Sequence, residues 1–234
     1  MIEHNIKSAA TDDSNHAASI QVGNLRIACQ QALYNLGCHN QESAQKAVTN
    51  IFDMYNSEER HYHDLTHICS MFKFISRFED HIQNKDELVL AILFHDAVYD
   101  SKASDNELKS AQLAEKMLLE LQVSLDSIDR IKSLILSTKD HKVISNNFDN
   151  AILLDADLAI LAANHTEYLN YAYGIRQEYS WVNEEDYRVG RLRVLNSFLR
   201  RDNIFQEVEN QVLLQRTAIE NIKMEIQTLT FKIQ

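Results

Sequence analysis

The chain has 234 residues, a formal net charge of −11, four Gly and no Pro. Such acidity disfavours non-specific binding to nucleic acid or to an anionic membrane, both of which are polyanions. So few turn-forming residues disfavour all-β folds and glycine-fingerprint dinucleotide folds, and favour helix along most of the chain.

Residues 1–19 are polar and aperiodic, and a flexible tail is expected there. Apolar residues then recur at helical spacing from Val22 to Leu36, and Gly37 sits where a helix C-terminus favours it. A second helix is expected over about 41–55, with Asn40 as N-cap. Residues 56–63 read as a connection, and Ile68, Met71, Phe72 and Ile75 mark a third helix. Leu88–Phe94 is apolar all round, so periodicity alone leaves helix and buried strand open; the helical flanks favour helix. A polar loop near 101–105 precedes the stripes Leu108–Leu121 and Ile128–Ile135. Residues 151–163 form a second mostly apolar segment, interrupted by Asp155 and Asp157. Amphipathic helices follow over about 165–181, 185–200 and 205–229. There is no internal repeat or linker, so residues 20–234 read as one compact all-α domain with added terminal helices. The last helix is expected to pack on its own domain, with a second subunit, hence a homo-oligomer, as the alternative.

Cys29, Cys38 and Cys69 form no CxxC pair and read as free thiols of a reducing compartment. The N-terminus lacks the apolar stretch of a secretory signal, and no run approaches the roughly 20 residues of a membrane span. A cytoplasmic protein is expected.

Three elements carry chemistry. His95-Asp96 ends the buried run at Phe94, where an ionised carboxylate needs a cation, a hydrogen-bond network or a metal. In Asp155-Ala156-Asp157 two acids interrupt a second apolar run; residues two apart on a helix point roughly 200° apart, so one can serve a site while the other caps or pairs. His63 and His67 are four residues apart, which on a helix places them on one face. Taken singly, each fits a bland reading: a satisfied core histidine, a capping acid, an incidental pair. Together, imidazoles and carboxylates in this order suit a divalent ion such as Mn, Fe, Co, Ni or Zn.

The order His67, His95-Asp96, Asp157 resembles the metal-binding signature of the HD superfamily of phosphohydrolases. The stretches Arg60-x-Tyr62-His63-x-x-x-His67-Ile68, Phe94-His95-Asp96-x-Val98-Tyr99-Asp100, Asn106-Glu107-x-x-Ser110-Ala111 and Asp155-Ala156-Asp157-Leu158 resemble a small subgroup of that superfamily, as do Ile175-Arg176-x-Glu178-Tyr179 and Gly190-Arg191-x-x-Val194-Leu195. The resemblance spans about residues 55–205. It implies an HD-type helical fold, with His67, His95, Asp96 and Asp157 as metal ligands. It also implies hydrolysis of a phosphate ester, nucleotides included, by a metal-activated water. Tyr62-His63-Asp64-x-x-His67 is similar to the Tyr-His-Asn-x-x-His stretch of cyclic-nucleotide phosphodiesterases, which makes His63 a proton donor and His67 a ligand.

On that reading Glu107 or Asp100 orients the water or supports the ligands. Lys139, His141, Arg176 and Arg191 are the candidate clamps for a small phosphorylated substrate. Two alternatives are an HD-type di-iron oxygenase, for which only His141 offers an extra histidine, and a non-catalytic helical metal-binding module. A cyclic-dinucleotide phosphodiesterase fits less well, because Ala97-Val98-Tyr99 stands where that group has x-Gly-Lys.

Overall fold

The structure is a computed structural model that describes residues 2–144, 147–206 and 211–231, with side chains described from residue 19 onward. The described residues form ten α-helices and no strand. These are α1 (Ile2–Asn35), α2 (Gln41–Tyr55), α3 (Leu65–Ile75), α4 (Lys85–Phe94), α5 (Asn106–Glu120), α6 (Leu125–Ser137), α7 (Phe148–Leu158), α8 (His165–Glu178), α9 (Glu184–Leu199) and α10 (Gln211–Phe231). Short 3-10 turns extend α3 through Phe78 and α7 through Ala162. No described helix is long and apolar enough to cross a membrane.

The expected caps form. Gly37 adopts a left-handed φ of 116° after α1, and Asn40 accepts a hydrogen bond from Ser43 N at 3.0 Å to start α2. The ambiguous run Leu88–Phe94 is helical and buried on every side, because α4 packs against α1, α3, α5, α6 and α7. Its first turn carries an acid turned into the fold: Glu87 is buried against the Arg130 guanidinium at 2.6 and 2.7 Å. Asp149, at the start of α7, accepts from the backbone of Gln83 and Asn84 at 2.8 and 2.7 Å, which holds the turn into α4.

The expected tail differs in one respect. Residues 2–19 are helical and continuous with α1, in a stretch that holds no Pro or Gly to interrupt it. The side chains of residues 2–18, on which that expectation also rests, lie outside the described set. The three cysteines are free and buried.

The last helix belongs to the core. It packs on α9 and on the 3-10 turn after α7, and it buries Ala218, Asn221, Ile222 and Glu225. Asn221 donates to the carbonyls of Leu161 and Ala163 at 3.0 and 2.9 Å. Glu225 receives Arg191 in a two-pronged contact (2.7 and 3.0 Å) and the Tyr168 hydroxyl at 2.6 Å. Removing one member of such a buried pair strands the other charge. Arg191→Ala is therefore expected to lose about 3–5 kcal/mol of stability, read as a lower urea midpoint.

Candidate functional site

The site is assembled where α3, α4 and α7 converge. Asp64 caps α3, accepting from Thr66 N at 2.7 Å and His67 N at 3.2 Å. The helix therefore starts after His63, which lies in the preceding segment rather than on the same helix face as His67. The two rings still approach, with centroids 6.0 Å apart. His67 is buried one turn into α3. His95 is the C-cap of α4 and Asp96 follows in the next turn. Asp157 is the penultimate residue of α7.

His67 Nε2, His95 Nε2 and an Asp157 oxygen lie within 4.8 Å of one another. The two Nε2 atoms are 3.4 Å apart, and Asp157 Oδ1 lies 3.3 Å from His67 and 3.8 Å from His95. Asp96 stands at the edge, with Oδ2 3.1 Å from His95 Nε2. His95 Nδ1 is 2.9 Å from the Ile92 carbonyl and can only donate there, so the neutral ring presents the Nε2 lone pair to the cluster. Two imidazoles and the Asp157 carboxylate thus converge, with the Asp96 carboxylate beside His95, a set that calls for a positive charge. Burial pushes the His95 imidazole down, but Asp96 and Asp157 outweigh it and lift the group to about 9. Burial likewise opposes ionisation of Asp96 and Asp157. For Asp96, His95 overcomes it; for Asp157, His141 first and then His67 do so, and both acids are held below the usual carboxylate range. The nitrogen and oxygen donor set fits a borderline divalent metal as well as a proton.

Asp155, two residues before Asp157, accepts from Gln206 N at 2.8 Å. The pair thus divides as helix geometry requires, one toward the cluster and one toward the segment before α10.

A cavity of about 290 Å³ opens on the cluster. His63, His95, Asp96, Glu107, His141 and Asp157 line its polar side; Tyr62, Tyr99, Tyr171, Tyr179 and Phe198 supply aromatic walls. His141, in a left-handed conformation (φ 50°), places Nε2 3.0 Å from Asp157 Oδ2. A wider cleft of about 440 Å³ reaches His67 from another side, past Asp64, Thr66, Ser70 and Asn170, and shares Tyr62 and Tyr171 with the cavity.

Several expected residues go elsewhere. The Asp100 carboxylate accepts from Lys102 N at 2.8 Å, turning its own loop, and the residue does not line the cavity. Lys139 donates to the Ser104 carbonyl at 3.1 Å. Arg176 binds the carbonyls of Tyr179 and Val182 at 2.8 and 3.2 Å, with Glu184 at 3.3 Å. Arg191 is held by Glu225, as described above. Each cation found a partner inside the fold, so none of the three lines the cavity.

Glu178 stands in one of the family-like stretches, but sequence reasoning gave it no role at the site. Its Oε1 accepts from the backbone N–H groups of His61, Tyr62 and His63 at 2.8–2.9 Å. Its Oε2 meets His63 Nδ1 at 2.7 Å and the Tyr99 hydroxyl at 2.8 Å. Tyr99 in turn stacks on the His63 ring, with centroids 4.3 Å apart. A signal existed: Glu178 falls on the stripe Tyr168, Tyr171, Ile175 of α8, an acid on an apolar face. Arg60 ties the same segment to the His-Asp turn, donating to the carbonyls of His63, Asp96 and Ala97 at 2.8–2.9 Å. Compared with protein-family models, curated proteins and solved structures, the chain matches none.

Burial opposes the charge on Glu178, but His63 and the backbone donors outweigh it and hold the carboxyl at about 2 against a usual 4.5. A depressed acid stabilises the fold fully above its unfolded value, and the contribution fades as pH falls from about 4.5 toward 2. That contribution is on the order of 3 kcal/mol. Glu178→Gln is expected to be less stable at neutral pH, with the gap to the parent closing across this acid window in urea titrations. Gly174 lets α8 approach the His61 segment: a Cβ there would sit 2.8 Å from the His61 carbonyl oxygen. Gly174→Ala is expected to lose about 1–3 kcal/mol by forcing that backbone away, read as a lower thermal midpoint.

Proposed function

We propose that this chain is a cytoplasmic, metal-dependent phosphohydrolase of the HD superfamily that cleaves a phosphate ester with water. The observation that carries the reading is the buried meeting of His67, His95 and Asp157, with Asp96 beside them, at a cavity that His63 also lines. A divalent ion such as Mn, Fe, Co, Ni or Zn, held by His67, His95, Asp96 and Asp157, would supply hydroxide at neutral pH and polarise a phosphoryl oxygen.

The chain's own residues do the rest. His63 has Nδ1 against Glu178, which leaves Nε2 as the ring's other proton site. Burial lowers the basicity of His63, but the hydrogen bond to Glu178 and the nearby Asp96 outweigh it, so the group is raised above its usual value. A histidine that holds its proton more firmly than usual is a fit donor to a leaving oxygen. Glu178 and the stacked Tyr99 fix the ring's orientation. His141 holds the second oxygen of Asp157. Glu107 lines the cavity and would be the carboxylate to orient the attacking water.

The test begins with metal content. About one transition-metal equivalent is expected in the parent protein and little in a His95→Ala, Asp96→Ala double variant, by elemental analysis. His63→Asn should keep the metal and lower kcat on a generic aryl phosphate by roughly 10²–10⁴-fold. Two equivalents of iron would turn the reading to the di-iron oxygenase. No metal, even after reconstitution, would leave a helical binding module.

A further inference from the structure

We propose that the site selects substrates carrying a single phosphate group and discriminates against di- and triphosphates; this rests on the phosphohydrolase reading above. Three carboxylates, Asp96, Glu107 and Asp157, line the cavity, and among the described lining residues there is no lysine or arginine. The cations around the site are committed to the fold. Lys139 holds a carbonyl, Arg176 holds two and an acid, and Arg191 is paired with Glu225. Arg60, behind the His-Asp turn, gives its guanidinium to three carbonyls. Arg201 lies over the Phe198 ring and points a nitrogen at the Asp140 carbonyl.

Sites that take a polyphosphate clamp it with lysine or arginine as well as metal. Here Asp96 and Asp157 already match the two charges of one divalent ion. His63 and His141 are the cavity's remaining basic groups outside the cluster, enough to face one phosphoryl group. With those two charges matched, Glu107 is the carboxylate left to oppose each further phosphate, and no lysine or arginine in the lining offsets the added charge inside a confined space. The cleft on the His67 side gives no relief, since its charged lining is Asp64 and Glu167; the one beyond Tyr99 holds Arg60, spent on carbonyls, and Lys102, which lies over Trp181 in a lining that also carries Glu58, Glu59 and Asp100. The volume agrees, since about 290 Å³ is at the small end for ligand sites and its remaining walls are mostly aromatic and aliphatic side chains.

The experiment uses the metal-loaded protein with adenosine 5′-mono-, di- and triphosphate, measuring kcat/KM for each. In parallel, calorimetry compares inorganic phosphate with tripolyphosphate. The monophosphate is expected to be favoured by at least about tenfold, and phosphate to bind more tightly than tripolyphosphate. Glu107→Gln removes one of the three carboxylates and should narrow the phosphate-to-tripolyphosphate binding ratio several-fold. Equal or better use of the di- or triphosphate would overturn the proposal while sparing the phosphohydrolase reading, and an unchanged binding ratio in Glu107→Gln would overturn its charge argument. If no phosphate compound is bound or cleaved, both fail together.

Discussion

One carboxylate organises the approach to the site. Glu178 receives three consecutive backbone N–H groups, a histidine and a tyrosine hydroxyl. The segment it captures, His61 to His63, forms no helix of its own, so its amide groups would otherwise be left to water or unpaired. Anchoring them on α8 fixes where His63 stands, and Tyr99 and Arg60 close the arrangement from the other side. Gly174 makes the approach possible by leaving out a side chain one turn earlier. Position at the cavity thus depends on a residue more than a hundred positions away in sequence.

The cluster itself runs against the usual rules of a core. Asp96 and Asp157 are mostly withdrawn from water near each other, and two imidazoles point nitrogen at nitrogen. Buried like charges are unfavourable without a cation. A fold selected for stability alone has no reason to gather these groups. The rest of the molecule compensates with apolar helices on all sides of α4 and with hydrogen bonds for every buried polar side-chain atom described.

The helices were largely legible, because period and punctuation agree with tertiary packing. Gly37 and Asn40 bound α1 and α2 as read, and the position of Asp157 relative to Asp155 follows from helix geometry alone. Two kinds of information were hidden. Asp64 looks like any acid until its oxygen is seen capping α3, and that cap is what separates His63 from the helix bearing His67. The charged residues were the other difficulty. Arg191 shows its charge in the sequence but not its partner, which lies 34 residues onward. Arg176 and Lys139 are likewise claimed by carbonyls that no pattern announces. Sequence reveals which groups carry charge; only folding decides which of them remain available.

The pairing of Arg191 with Glu225 also orders events during synthesis. A chain emerging from the ribosome presents α9 before α10, so a nearly complete domain holds a guanidinium whose partner has not yet been made. That guanidinium also overlies Tyr171, which walls the cavity. Domains generally complete as units once their last packing element is present. The cavity wall is thus linked, through Tyr171 and Arg191, to a carboxylate on α10 that is made after every residue lining the cavity.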